Sequence, residues 1–147
     1  MARGWRQGLY KIKHPEKYIG DANNVVYRSS WELKMNEFLD NNPNILEWNS
    51  EELIIPYVKP TDGRVHRYFP DYWVKYKNRR GEIIQEVLEV KPASQVNKPK
   101  RTGKRRKQQL YEEITHAINS AKWKAAVQFC NKYGMKFKLI TENELFK

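Results

Sequence analysis

The chain is predicted to fold as a mixed α/β domain, a central sheet with helices packed against it. Three observations carry that expectation. A capped stretch with helical spacing comes early, at residues 29–42. Aromatic and β-branched runs broken by turn residues follow, up to Lys91. Helical periodicity then returns, before one last alternating segment near the C-terminus. At 147 residues the chain is long enough for one domain with a real core.

Residues 1–26 show no clear periodicity and read as a basic N-terminal arm, with turns near Pro15 and Gly20-Asp21; a plain ordered lead-in reads equally well. Arg3, Arg6, Lys11, Lys13 and the terminal amine put positive charge there, as in arms that lie on nucleic acid or on a partner. The single domain is expected over 27–147. Ser29-Ser30-Trp31-Glu32 fits a capping box, in which a serine hydroxyl and a glutamate carboxylate satisfy free backbone N–H groups. Trp31, Met35, Phe38 and Leu39 recur at helical spacing, and Asn41-Asn42-Pro43 ends the helix.

Ile45 to Trp48 reads as a short extended piece, and Leu53 to Val58 as a strand in which Pro56 marks an edge or bulge. Asp62-Gly63 is a hairpin turn. Val65 to Tyr76, with Tyr68, Phe69, Tyr72, Trp73 and Tyr76, reads as one strand; this aromatic group suits core and sheet surface better than a base-stacking platform. Asn78 to Gly81 turns the chain into a strand over Glu82–Lys91, stopped by Pro92.

Residues 93–107 read as a basic linker, where Lys98, Lys100, Arg101, Lys104, Arg105, Arg106 and Lys107 crowd together. Two helices are predicted next, one from about Lys104 and a second from near Ser120 that ends at Gly134. Phe137, Leu139 and Thr141 alternate with lysines in a final strand, and a short tail helix is expected from Glu142 to Phe146.

Composition narrows the function. Twenty-eight Lys and Arg against seventeen Asp and Glu give a net charge of +11, which suits a polyanionic partner or a merely solvated basic surface. No apolar run approaches the roughly 18 residues of a membrane span, no basic amphipathic helix stands out, and no secretory signal is seen, so no membrane role is expected. One cysteine, Cys130, rules out an intrachain disulfide and a cysteine-based zinc cluster and fits a reducing compartment; His14, His66 and His116 have no metal-ligand spacing.

Against that basic background, Pro70-Asp71 and Glu89-Val90-Lys91 place two acids and a lysine at the ends of two adjacent predicted strands. Residues i and i+2 of a strand share a face, so Glu89 and Lys91 project together with Val90 turned the other way, and Asp71 can sit opposite. Carboxylate oxygens suit Mg²⁺. A lysine beside the metal can hold or deprotonate a water, or stabilise transition-state charge. The plain alternative is two strand acids in a surface salt bridge with Lys91 or Arg67. Glu32 serves either as a capping residue or as a further acid that reaches the metal or its water. Lys122 and Lys124, at the expected start of the second late helix, oppose its dipole, which makes phosphate contact attractive beside simple solvation. The 98–107 cluster is either a solvated segment or a clamp on the DNA backbone, and a clamp would give steeply salt-dependent binding. Gln109 and Tyr111 are further candidates from the following helix.

Glu32, Pro70-Asp71 and Glu89-Val90-Lys91 resemble the PD-(D/E)xK, or restriction-endonuclease-like, nuclease superfamily. Tyr27-Arg28-Ser29-Ser30-Trp31-Glu32, Ile55-Pro56-Tyr57, Arg67 to Asp71, Lys122 to Ala126 and Phe137 to Glu142 are similar to the head-completion nucleases of T-even-type tailed phages, over roughly residues 20–145. The resemblance implies a restriction-endonuclease-like mixed sheet flanked by helices and nuclease activity on DNA. It implies Mg²⁺ (with Mn²⁺ able to substitute) held by Asp71, Glu89 and the Val90 carbonyl, Lys91 as catalytic lysine and Glu32 as helix acid. It also implies action after DNA packaging to make heads competent for tail joining, with portal or neck proteins as partners, in the host cytoplasm during assembly or at the head–tail connector of the virion. Three other readings are a DNA-binding connector or plug with a vestigial site, a junction resolvase of the same superfamily, and the endonuclease subunit of a heteromeric transposase. That subunit normally carries a further domain, for which this length leaves no room.

Overall fold

The computed structural model describes residues 7–97, 99 and 105–145. Strands β1 (Gly8–Leu9) and β2 (Val26–Tyr27) pair antiparallel around a 3-10 turn at Pro15–Lys17, and helix α1 (Ser30–Asn41) follows. Next come β3 (Ile45–Ser50), the hairpin of β4 (Ile55–Val58) and β5 (Val65–Tyr68), then β6 (Tyr72–Lys77) and β7 (Ile83–Val90). A short helix α2 (Ala93–Val96), the long helix α3 (Arg106–Lys132), strand β8 (Lys136–Ile140) and helix α4 (Glu142–Leu145) complete the described fold. The central sheet runs β3-β6-β7-β8; the first three are antiparallel and β8 is parallel to β7, so α3 lies in the crossover that a parallel pair needs. Tyr72 pairs with Leu88, which brings Asp71, just ahead of β6, to the C-terminal end of β7.

Two apolar layers cover the sheet. On one face Met35 and Leu39 of α1 pack with Trp48, Tyr72, Val74 and Leu88. On the other, Ala126 and Cys130 of α3 pack with Val87 and with Ile55, Tyr57 and Tyr68 of the hairpin. The period-2 alternation of β7 thus sends Leu88 to the α1 side and Val87, and with it Glu89, to the α3 side.

The predicted order of elements is found, with four differences. Val65–Tyr76 is two strands in two different sheets, divided at the buried Pro70, which has no N–H to give a ladder. The two late helices are one 27-residue helix, with no Gly or Pro inside it to break it. Ser120, expected to cap a second helix, instead faces His116 one turn back at 3.4 Å. The piece expected at Ile45–Trp48 extends to Ser50 as an outer strand of the sheet.

The fourth difference is in the linker predicted at 93–107, which opens with α2 and gives Arg106 and Lys107 to α3. Of the two readings of residues 1–26, the described ones fit the ordered lead-in. Asp40 of α1 is fully buried and accepts from the Tyr10 hydroxyl (2.7 Å) and the N–H groups of Lys13 (2.8 Å) and His14 (3.0 Å). The Lys17 ammonium donates to the carbonyls of Leu39, Asp40 and Asn42, and so caps the C-terminus of α1. Tyr18 and Val25 enter the core beside Trp48. Arg3 and Arg6 of that arm, and Lys98, Lys100, Arg101 and Lys104 of the linker, lie outside the described residues. Among the described residues no helix is long and apolar enough to cross a membrane.

Candidate active site

Asp71 and Glu89 are locked together through the ends of β6 and β7. The Val90 N–H donates to the Asp71 carboxylate at 2.8 Å, and the Asp71 N–H donates to Oε1 of Glu89 at 3.3 Å. Tyr68, the last residue of β5, donates its hydroxyl to the same Oε1 at 2.7 Å. Lys91 leaves β7 with its N–H still bonded to the Ile140 carbonyl of β8, and its ammonium stands 3.7 Å from Oε2 of Glu89. Glu89 is buried, which sets aside the reading of an ordinary surface salt bridge; Arg67 instead stacks on the Phe69 ring.

Glu32 enters from the start of α1. Ser29 caps the helix by accepting from the Glu32 N–H at 3.2 Å, and Glu32 Oε1 accepts from the Arg28 N–H at 3.2 Å, one residue earlier than the usual capping box. The Tyr72 hydroxyl donates to the Glu32 carbonyl and to Asn36, pinning this turn of helix to β6 next to Asp71. Glu51 follows β3 in left-handed backbone, φ 55°, where a non-glycine side chain is unfavourable. Its N–H donates to the Asp71 carbonyl at 3.1 Å, and its carboxylate pairs with the Arg28 guanidinium.

The charges explain one another. Burial, then Glu89, then Glu32 push the Asp71 carboxyl well above the usual range, against the Val90 N–H and Lys91. Burial also raises Glu89, opposed by Tyr68, Lys91, the Asp71 N–H and Lys122. Burial raises Glu32, with Glu51 and Glu89 adding to it and Arg28 opposing. Burial raises all three acids, and acidic neighbours add to it at Asp71 and Glu32; carboxylates held in this way are donors that a hard divalent cation fits. Among the described residues no group of three or more His, Cys, Asp or Glu side chains is placed to hold a metal ion. The fit therefore rests on the cross-bonded carboxylates of Asp71 and Glu89; Mg²⁺ is usually held by one or two protein carboxylates and keeps several waters.

Residues 42–142 match the family described as TnsA-like endonuclease N terminal, a span that contains Asp71, Glu89 and Lys91. The chain belongs to the TnsA-like endonuclease family. The chain is also 36% identical over 142 residues to the head completion nuclease of Enterobacteria phage T4, an alignment covering 94% of this chain and 92% of that protein. That groups it with the head-completion nucleases of T-even-type phages, and its mixed sheet flanked by helices accords with the restriction-endonuclease-like superfamily.

In this TnsA-like endonuclease the basic residues expected to meet DNA part company. Lys122 lies in the middle of α3, not at a helix start, so the dipole argument for it lapses. It is half-buried on the stripe that continues through Ala126 and Cys130, with its ammonium 5.6 Å and 5.8 Å from the Tyr68 and Tyr57 ring centres and in the field of Glu89. Lys124 is exposed on another face, and Arg105, Arg106 and Lys107 are exposed at the start of α3. Gln109 bonds along the helix to Glu113 and Tyr111 is exposed; neither joins the cluster. Sequence reasoning alone does not single out Tyr68, Arg28 and Glu51 as site residues. The signal for Tyr68 is its place three residues ahead of Asp71 in an aromatic strand; a positive φ at Glu51 has no sequence signal. A cavity of about 800 Å³ lies on the α1 face, between Phe38, Val74, Leu88 and Leu145, and none of the four candidate catalytic residues lines it.

Proposed function

We propose that the chain is a Mg²⁺-dependent DNA nuclease, with Mn²⁺ able to substitute, that hydrolyses phosphodiester bonds during phage head completion, after packaging and before tail joining. The observation that carries this reading is the convergence of Asp71, Glu89 and Lys91 at one end of β6 and β7, where the two carboxylates are cross-bonded through the backbone and Glu89 is buried beside the Lys91 ammonium. Nuclease and head completion are what the name of the T4 relative states. In this reading DNA is the substrate, portal or neck proteins are the partners, and the protein works in the host cytoplasm during assembly or at the head–tail connector.

Asp71 and Glu89, with the Val90 carbonyl, would hold the cation. When bound, such a cation acidifies a coordinated water and neutralises charge on the phosphoryl oxygens. The chain's own groups do the rest. The Val90 N–H and the Tyr68 hydroxyl fix the two carboxylates, so that little reorganisation is needed when substrate arrives. Lys91 stands on the same side of β7 as Glu89 and orients the attacking water or offsets the charge that builds on the phosphorane. Glu32 supplies a further carboxylate toward water at the edge of the site. Lys122, with Lys124 and the basic residues Lys98, Lys100, Arg101, Lys104, Arg105, Arg106 and Lys107, holds DNA phosphates. The water oxygen bonds to phosphorus, one ester P–O bond breaks, the water loses a proton and the departing oxygen gains one.

The test is plasmid incubated with Mg²⁺ and the purified protein, beside Asp71→Ala. Nicking or degradation by the wild type alone supports the reading. No cleavage by either protein favours a DNA-binding connector or plug, and equal cleavage by both places the chemistry elsewhere.

A further inference from the structure

The Arg28–Glu51 pair joins the two acids of the site without belonging to either. The Arg28 N–H holds the Glu32 carboxylate, the Glu51 N–H holds the Asp71 carbonyl, and the two side chains meet over the gap. Among the described residues Nη1 of the guanidinium meets the Glu51 carboxylate, and the Arg28 side chain is 55% exposed, against 31% for Glu51. Such an ion pair at the surface adds little stability. Yet it is held by a residue in left-handed backbone, and outliers of that kind concentrate where a site needs a particular geometry. A guanidinium is the side chain whose planar fork matches phosphate oxygens, and a carboxylate presents two oxygens in the same way. Arg28 also lies in the field of Glu32 and Asp71, so a phosphate brought to those acids is brought to Arg28.

We infer that Arg28 is a substrate-binding residue that exchanges partners: the Glu51 carboxylate occupies the guanidinium in the DNA-free protein, and a backbone phosphate beside the scissile bond displaces it. The exchange rests on the nuclease reading above. It makes Glu51 a built-in competitor for DNA, so that the site takes up a phosphate only where the duplex is docked well enough to outcompete an intramolecular carboxylate.

The experiment is fluorescence anisotropy of a short labelled duplex in EDTA across a series of salt concentrations, with the full chain and its Arg28→Ala, Arg28→Lys and Glu51→Gln variants, and Mg²⁺-dependent cleavage of the same duplex by the wild type. Arg28→Ala is expected to weaken binding about 10-fold and to flatten the salt slope by about one counterion. Arg28→Lys recovers part of the slope, because the charge remains and the fork does not. Glu51→Gln is expected to tighten binding about 3-fold or more in the wild-type background and by clearly less in an Arg28→Ala background, because loss of a nearby negative charge favours DNA in both and only the release of Arg28 separates them. Wild-type protein that binds and cleaves while Glu51→Gln binds equally or more weakly overturns the exchange and leaves the nuclease reading intact. Wild-type protein that neither binds nor cleaves the duplex overturns the nuclease reading itself, and the exchange with it.

Discussion

The Tyr68 hydroxyl donates a 2.7 Å hydrogen bond to Oε1 of Glu89, tying the β4–β5 hairpin to the central sheet at the carboxylate that also faces Lys91. Glu89 is thus held from two sides, by a phenol and an ammonium, and Tyr68 is buried so that the bond is shielded from water. Tyr68→Phe removes the donor and keeps the ring. Loss of such a supporting contact typically lowers metal affinity or activity by about 10- to 100-fold. The expected result is a Mg²⁺-dependent cleavage rate down by about 10-fold, with a melting temperature within a few degrees of wild type. A variant that cleaves at the wild-type rate removes Tyr68 from the support of Glu89.

Asp71 gives a pH signature. Its carboxyl is raised well above the ordinary value of 3.8 by burial, Glu89 and Glu32. A raised acid binds more protons folded than unfolded, so its contribution to stability falls as pH rises from the unfolded pKa through the folded one. Asp71→Asn keeps an oxygen to accept from the Val90 N–H and drops the charge. In metal-free buffer near neutral pH the variant is therefore expected to be more stable than wild type, since it drops the charge that burial and the neighbouring acids disfavour. The gap closes below about pH 4, where the carboxyl is protonated in both states. Added Mg²⁺ or Mn²⁺ raises the melting temperature of the wild type and leaves the variant unmoved. Thermal melts across pH, with and without metal, check both parts; a variant less stable than wild type at neutral pH contradicts the first.

The meeting of the candidate residues was legible because it is local: Glu89 and Lys91 share a strand face by period alone, and Asp71 needs only the β6–β7 hairpin to meet them. The break at Pro70 was hidden by the same periodicity. Tyr68, Pro70, Tyr72 and Val74 are all buried, an unbroken alternation, yet Tyr68 packs on the α3 side and Tyr72 on the α1 side. Pattern records that a residue is inside, not which layer it enters. Ser120 misled for a related reason: a serine caps a helix only where the backbone turns, and inside α3 its hydroxyl faces His116. Arg28 and Glu51 lie 23 residues apart and meet only through the tertiary fold.

Asp40 decides whether the N-terminal segment stays in place. It takes three hydrogen bonds from Tyr10, Lys13 and His14, two of them from backbone N–H groups that have no strand partner. Asp40→Ala leaves those donors without their acceptor and opens a gap beside α1. With about 1–3 kcal/mol for each buried donor left unsatisfied, and some relief as the segment moves outward, a loss of about 3 kcal/mol is expected. For a chain of this size that is a fall in melting temperature of roughly 6–12 °C. Asp40→Asn, which keeps one acceptor oxygen, is expected to fall between Asp40→Ala and wild type. Melts of the three proteins test the clamp; an Asp40→Ala protein that melts with wild type shows the segment to be held by Tyr18 and Val25 instead.

Glu32 carries two roles that substitution separates. As a cap it needs only an oxygen to accept from the Arg28 N–H, and glutamine supplies one. As a site acid it needs charge, which glutamine lacks. Glu32→Gln is therefore expected to be at least as stable as wild type near neutral pH, since burial and the neighbouring acids disfavour the charge it drops, and to cleave at least about 10-fold more slowly, in line with the usual loss of a positioned acid–base group. Ser29→Ala has the opposite profile. It removes the acceptor for the Glu32 N–H, which costs about 1 kcal/mol for a helix cap, and leaves every charged group of the site in place, so cleavage per folded molecule stays near wild type. Melting curves and initial cleavage rates on one plasmid substrate give both numbers for both variants. If Glu32→Gln loses stability and keeps its rate, the carboxylate belongs to the helix alone and the site is Asp71, Glu89 and Lys91 without it.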